Sequence, residues 1–274
     1  MPDHPSTPPP STELERALAT VHELLDAIGP DLVAVAGTIA MELKGDGTPV
    51  TELDHETDRR LSEGLLAAFP THEIVSEERT TTSSGATWTW VIDPIDGTSN
   101  FISGLPHWGT SVALCREGEP VLGVVDAPAM GRRWAAIAGG GARRDGQRVA
   151  VRSDVDWDDP SRAHVPVLLT STAARRIAGS RLACNPRLLG AVALDLALVA
   201  EGTASASVAW VPHVWDVAAG VVLVTEAGGA VTQRGDTPLL PLTGGVDHAR
   251  RTALVGGGAD AASLARLVDE LWER

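Results

Sequence analysis

Two aspartates, Asp93 and Asp96, lie in the string DPIDGTSNF, which runs from Asp93 to Phe101 directly after the apolar run WTWVI. That run reads as a strand. Pro94, lacking a backbone donor, is expected to stop its ladder and leave Asp93 at the strand's exit. Asp96-Gly97-Thr98 reads as a helix start, where free N–H groups and a flexible glycine let an anion approach the backbone closely. One short segment therefore offers two carboxylates and a cradle of phosphate size. These parts belong together, because hydrolysis of a phosphate monoester is among the slowest uncatalysed reactions and demands strong charge stabilisation. Hard divalent ions held by carboxylates supply it. A pair of ions roughly 3.5–4 Å apart can bind both the attacking water and the leaving oxygen, and magnesium suits oxygen-only ligands. Each acid also has a plainer assignment, Asp93 as a turn residue and Asp96 as a helix cap. The pairing of both acids after an apolar strand favours the catalytic assignment.

The elements around this string set the frame. At 274 residues and 43% hydrophobic content, the chain can bury a large core as one domain or two intimately packed ones. From Glu13 to Leu43 the apolar positions keep a helical spacing, and Gly29-Pro30 is expected to break the run into two helices. Gly45-Asp46-Gly47 is a turn, and Asp54 to Phe69 is a further amphipathic helix stopped by Pro70. Strands are expected at EIVS from 73, WTWVI from 88, GTSVALC from 109, PVLGVV from 120, RWAAIA from 133, RVAV from 148 and PVLLT from 166. The glycines 139–141 and the DGQ from 145 read as turns between strands. An apolar helix over Arg187–Glu201, a strand near Ala204–Val208 and a second apolar helix over Trp215–Ala227 follow, the last stopped by Gly228-Gly229. Ser263–Trp272 reads as a short amphipathic helix. Helices and strands come in blocks, which favours a layered α+β fold over a doubly wound sheet.

Charge and cysteine usage narrow the function. A net charge of −14 argues against nucleic acid or an anionic membrane as partner, since both rely on basic patches. No stretch approaches the roughly 18 apolar residues of a membrane span. The Pro-rich start, residues 1–12, has no apolar signal core and is expected to be a disordered leader. Cys115 and Cys184 lie far apart, outside any metal-binding spacing. The expectation is a cytoplasmic protein acting on an anionic small molecule with the help of a bound cation.

The string DPIDGTSNF resembles the signature of inositol monophosphatases, and WDVAAGVVLVTEAGG at 215–229 resembles their second signature. TPVTELD at 48–54 and VSEER at 75–79 resemble the acidic motifs that precede them, and RLLGAVALDLALVAEG at 187–202 resembles the helix between the signatures. The four motifs keep the family's order over nearly the whole chain after residue 12. Haloacid-dehalogenase phosphatases also place two aspartates and a Thr after a strand, but as DxDGT, whereas here both Pro94 and Ile95 intervene.

The resemblance implies a layered α/β/α/β/α sandwich, with one part over residues 13–150 and a second over 151–274 that completes the site. It implies that Glu77, Asp93 and the carbonyl of Ile95 hold one Mg2+, and that Asp93, Asp96 and Asp216 hold a second. A third, looser ion would lean on Glu77, and Mn2+ would substitute. Thr98, with Asp54, would orient and deprotonate the attacking water, and the backbone of Gly97 and Thr98 would hold phosphate beside Asp216. No covalent phosphoenzyme is implied. By analogy with such families the protein would be a homodimer. Glu78 reads as structural, and Lys44, His107 and His213 as surface residues. Asp54 and Asp216 could also simply cap helices, and Glu77 could be a solvated surface acid.

The substrate is less sharply drawn. Inositol-selective members carry a Glu a few residues before the WD pair, and that place is Ala209 here, the alternative being that Glu201 or Asp195 from the neighbouring helix reaches the same space; Gly190-Ala191-Val192 replaces a Gly-Thr/Ser-Ala run. Nucleotide-type members read DGTKEF, unlike Ser99-Asn100 here. The string APAMGRRW at 127–134 resembles histidinol-phosphate phosphatases, which makes histidinol phosphate the second candidate substrate. A reading from another class is a paralogue that binds metal or phosphate without turnover.

Overall fold

The computed structural model describes residues 11–45, 49–79, 82–153, 165–177, 185–210, 212–234, 240–242, 253–258 and 269. Most of the expected leader, Cys184 and, apart from Asp269, the helix expected at 263–272 lie outside the described residues. The chain opens with helix α1 (Ser11–Val35), a short hairpin of β1 (Glu42–Leu43) and β2 (Pro49–Val50), and helix α2 (Glu52–Ala68). Then come β3 (Glu73–Ser76), β4 (Trp88–Asp96), the short helix α3 (Thr98–Ser103), β5 (Gly109–Arg116), β6 (Glu119–Ala127), β7 (Arg132–Ile137), β8 (Gly141–Arg144) and β9 (Gln147–Arg148). Strands β3 to β9 form one seven-stranded sheet in chain order, antiparallel except for the parallel β3–β4 pair. The rest comprises β10 (Pro166–Leu169), α4 (Ser171–Ile177), β11 (Asn185–Arg187), α5 (Val192–Ala200), β12 (Ala206–Trp210), α6 (Val214–Glu226), β13 (Ala230–Arg234) and β14 (Ala253–Gly257). Its strands build a mixed five-stranded sheet in the order β11-β10-β12-β14-β13.

Strand alternation sorts the core into two layers. Trp90 and Ile92 of β4, Val112 of β5 and Val124 of β6 face α1 and α2, where Leu25, Leu32, Leu61 and Leu65 meet them. Val91, Ala113 and Val125, one position along, face α5 and α6, where Leu194, Val217 and Leu223 meet them. The two apolar helices are thus buried between the sheets, which is why VALDLALVA has no polar stripe. Close approach needs small residues. A Cβ on Gly123 of β6 would stand 2.5 Å from the Ala219 carbonyl oxygen of α6. The fold is the layered α+β sandwich expected.

Several boundaries differ from the expectations. Helix α1 is continuous through Pro30. Leu25, Ile28 and Leu32 are buried on both sides of the proline, so packing outweighs the one backbone bond Pro30 cannot make. Gly29 lets the helix approach a 3-10 turn at Pro128–Met130, since a Cβ there would lie 3.2 Å from the Pro128 Cβ. Strand β4 runs through Pro94 to Asp96, with a register shift between Asp93 and Asp96. Proline is tolerated at such a bulge, and β3 has already ended opposite Ile92. Helix α5 starts at Val192 rather than Arg187, because Asn185–Arg187 pairs with β10 and Gly190 turns the chain at a φ of 86°. Strands β1, β2, β8, β11, β13 and β14 and helix α4 were not anticipated, and the helical run expected to reach Leu43 ends at Val35.

Candidate active site

The bulge in β4 is the centre. Thr110 of β5 donates its hydroxyl to the Pro94 carbonyl at 2.9 Å and pins the irregular stretch. Asp93 is 2% exposed, and its Oδ1 accepts the Ile95 N–H at 3.1 Å. Burial pushes its carboxyl well above the usual range, and the negative charges of Glu77, Asp96, Asp216 and Asp54 add to the rise. Five acids from four separate motifs therefore share one field around Asp93. Among the described residues no three His, Cys, Asp or Glu side chains converge closely enough to enclose an ion.

Asp96 faces α5. Its Oδ1 accepts the Val192 N–H at 3.0 Å, and its Oδ2 accepts those of Ala193 at 2.8 Å and Leu194 at 3.3 Å. These are amides that a helix leaves unpaired at its start, so Asp96 does cap a helix, but one almost a hundred residues further along the chain. Burial and the nearby Asp216 and Asp195 raise its carboxyl well above the usual range despite those bonds.

Asp54 lies in the first turn of α2. Its Oδ2 accepts both the Thr51 N–H at 2.7 Å and the Thr51 hydroxyl at 2.6 Å. Its Oδ1 lies 3.3 Å from the Thr98 hydroxyl, which also reaches the Ile95 carbonyl at 3.0 Å. Burial raises the Asp54 carboxyl, opposed by the two Thr51 bonds. The structure brings Asp54 and Thr98 together as expected. Gly97, at a φ of 86°, is hemmed in: a Cβ there would stand 3.0 Å from the Ala191 Cβ and 3.1 Å from the His107 carbonyl oxygen.

Glu77 follows β3, and its N–H reaches the Ile92 carbonyl at 3.3 Å. Its Oε1 accepts Lys44 Nζ at 2.7 Å, and Lys44 also pairs with Glu78. Burial disfavours the lysine's charge, but the two carboxylates outweigh it and hold its pKa above normal. Burial raises the Glu77 carboxyl, Lys44 opposes this, and Asp216 and Glu78 add to it. Lys44 is thus an ion-pair partner rather than a free surface residue. Asp216 caps α6 by accepting the His213 N–H at 2.7 Å, and the His213 ring stacks on Trp215.

Asn100 and His107 were not singled out for the site, and Asp195 only as an alternative acid in place of Ala209, yet the three are joined beside Gly97. Asn100 Nδ2 donates to the carbonyls of His107 at 2.6 Å and Leu189 at 2.7 Å, and His107 Nε2 donates to Asp195 Oδ1 at 3.3 Å. One signal was available, since Asp195 is the sole charge in an otherwise apolar helix. Other candidates fall away from the acids. Ala209 is fully buried within β12. Glu201 is taken by Arg144 and the Trp134 indole. Arg133 is held by Asp126 and Asp26, beside a cavity of about 1000 Å³ between α1 and β7 that none of the acids around Asp93 lines.

The oxygen-only donor set, its burial and its unbalanced negative charge fit a hard divalent cation. Comparison with known proteins identifies the family. The model of the inositol monophosphatase family matches residues 11–273. The fructose-1,6-bisphosphatase/inositol-1-monophosphatase of Aquifex aeolicus is 34% identical over 72% of this chain and 76% of its own length. The histidinol-phosphatase of Chlorobaculum parvum is 34% identical over 68% and 73% respectively. The solved IMPase of Thermotoga maritima superposes with a TM-score of 0.79 at 30% identity, covering 94% of this chain and 98% of that one. A more distant neighbour in fold, 21% identical with a TM-score of 0.74 over 92% of this chain and 93% of its own, is an IMPase/NADP phosphatase complexed with Mg2+ and phosphate. Sharing fold, motifs and sequence with these phosphatases, the chain belongs to the inositol monophosphatase family and is a phosphomonoesterase.

Proposed function

We propose that the protein hydrolyses a small, inositol-phosphate-like monoester in a magnesium-dependent reaction without a covalent intermediate. The observation that carries this reading is the gathering of Asp54, Glu77, Asp96 and Asp216 around the buried Asp93, whose carboxyl is pushed upward by burial and by those four acids, because a bound cation would relieve that repulsion. Glu77, Asp93 and the Ile95 carbonyl would hold one Mg2+, Asp93, Asp96 and Asp216 a second, and Glu77 a looser third, with Mn2+ able to substitute. Bound there, the ions would neutralise the acids, bind the phosphate oxygens and lower the pKa of a water.

The chain's own groups do the rest. Asp54 is fixed at one oxygen by Thr51 and reaches Thr98 with the other, so a proton taken by the Thr98 hydroxyl can pass to Asp54. Its burial-raised pKa makes Asp54 a better base than an exposed aspartate. The backbone at Gly97 and Thr98 would receive the phosphate, with Asp216 beside it. A cytoplasmic homodimer is the proposed setting, and among the described residues no helix is long and apolar enough to cross a membrane.

Histidinol phosphate is the second reading, favoured by the 34% identical histidinol-phosphatase. The APAMGRRW string adds little, since Arg133 is committed to Asp126 and Asp26. Ala209, fully buried, offers a polyol nothing, so inositol 1-phosphate should be accepted without strong preference. A glutamate there would bury a carboxylate and makes a poor probe. The test is phosphate release from an aryl phosphate, then from inositol 1-phosphate, histidinol phosphate, fructose 1,6-bisphosphate and 3′-phosphoadenosine 5′-phosphate. Activity should require added Mg2+ or Mn2+, and equal activity in a chelator would overturn the metal reading.

A further inference from the structure

The loop from Gly104 to Trp108 and the segment from Leu189 to Ala191 close over Gly97 from two sides. The Cβ position of Gly97 lies 3.1 Å from the His107 carbonyl oxygen, 3.3 Å from that of Gly190 and 3.0 Å from the Ala191 Cβ. Two ties join the two walls. The Asn100 amide donates to the His107 carbonyl and to the Leu189 carbonyl at once. The His107 imidazole bonds Asp195 in the first turn of α5, with side chains only 15% and 3% exposed.

The same helix end already receives Asp96 at the Val192, Ala193 and Leu194 amides. Two buried carboxylates therefore converge on one helix start and repel, as the effect of Asp195 on Asp96 records. Burial pushes the Asp195 carboxyl up to about 6, even with His107 opposing the rise. An apolar residue at 107 would leave that acid buried without its partner.

We propose that His107 is a positioning residue of the phosphate site: its bond to Asp195, with the Asn100 bridge, fixes the walls around Gly97 so that the backbone at Gly97–Thr98 is set for the phosphate. This rests on the reading that this backbone receives phosphate. His107 touches no reacting atom. Its loss should weaken phosphate affinity while leaving the acids, and hence cation affinity, in place.

The test uses the full chain with saturating Mg2+ and inorganic phosphate as the probe, read by calorimetry and by inhibition of aryl phosphate hydrolysis. His107→Phe keeps the bulk but not the donor, and should raise the phosphate dissociation constant and KM by about tenfold, with kcat changed less than about threefold. The concentration of Mg2+ giving half-maximal activity should stay put. His107→Gln keeps a donor and should restore most of the affinity. His107→Phe combined with Asp195→Asn should be no worse than the poorer single variant, since both break one contact. Unchanged phosphate affinity in His107→Phe, additive effects in the double variant, or parallel loss of cation affinity would overturn the proposal. Gly97→Ala separates the two readings. If it weakens phosphate binding while His107→Phe does not, only the role of His107 fails; if neither does, the cradle itself is misplaced.

Discussion

Asp93 sits where a carboxylate is costly to the metal-free protein and indispensable to the proposed reaction. Asp93→Asn should lower turnover by on the order of 10³-fold or more. It should also raise the melting temperature in chelator, because it removes one of several buried like charges. Retained turnover, or a lower melting point, would show that the centre lies elsewhere. Thr98→Ala should cost kcat about 10²- to 10⁴-fold with little change in Mg2+ affinity, since Thr98 Oγ1 meets Asp54 Oδ1 and the Ile95 carbonyl. These acids were legible in the sequence because each follows or opens a strongly patterned element and the motifs keep a fixed order. The bond between His107 and Asp195 was not, because it is a contact across 88 positions that neither residue's neighbours announce.

At the scale of elements, apolar periodicities were read more surely than interruptions: Pro70 and Gly228-Gly229 do end α2 and α6, but two other prolines are no stops. Trp88–Val91 and Trp215–Val224 declare a strand and a helix through their spacing, while Pro30 and Pro94 were read as stops. Each proline lies where a long-range contact makes its missing N–H cheap: α1 is buried on both sides of Pro30, and β4 bulges where β3 has ended. Strands β13 and β14 are rich in small or polar residues, AVTQR and ALVGG, and became strands by pairing with each other rather than by propensity. The helix carrying Asp216 rests directly on β6 at Gly123. Gly123→Ala should therefore destabilise the protein by about 1–3 kcal/mol through overpacking and lower activity more than a surface alanine would, because α6 must lift. Denaturant melting alongside phosphate release checks both, and an unchanged midpoint would contradict the close approach.

The whole molecule carries −14 yet gathers five acids around Asp93, three of them buried, so protons and cations compete for the same oxygens. Asp54, Glu77, Asp93 and Asp96 all have carboxyls raised by burial and neighbouring acids, and Asp195 nearby is pushed up to about 6. Between the unfolded values, about 4, and these higher folded values, the folded state holds more protons than the unfolded one. Stability from these groups is thus fully present below pH about 4 and is lost as pH rises through their raised folded values, about 6 for Asp195. His22 and His72, lowered by burial, act in the opposite sense as pH falls below their ordinary range. Neither touches the acids, so a difference measurement removes them. The rise in melting temperature on adding saturating Mg2+ should grow steadily from pH 5.5 to pH 8, because at low pH the cation must displace protons and at high pH it relieves repulsion. The same increment should shrink and lose its pH dependence in Asp93→Asn. A Mg2+ increment that is flat across this range in the unaltered protein would mean that the cation binds away from the raised acids, and the assignment of Glu77, Asp93, Asp96 and Asp216 as its ligands would fall.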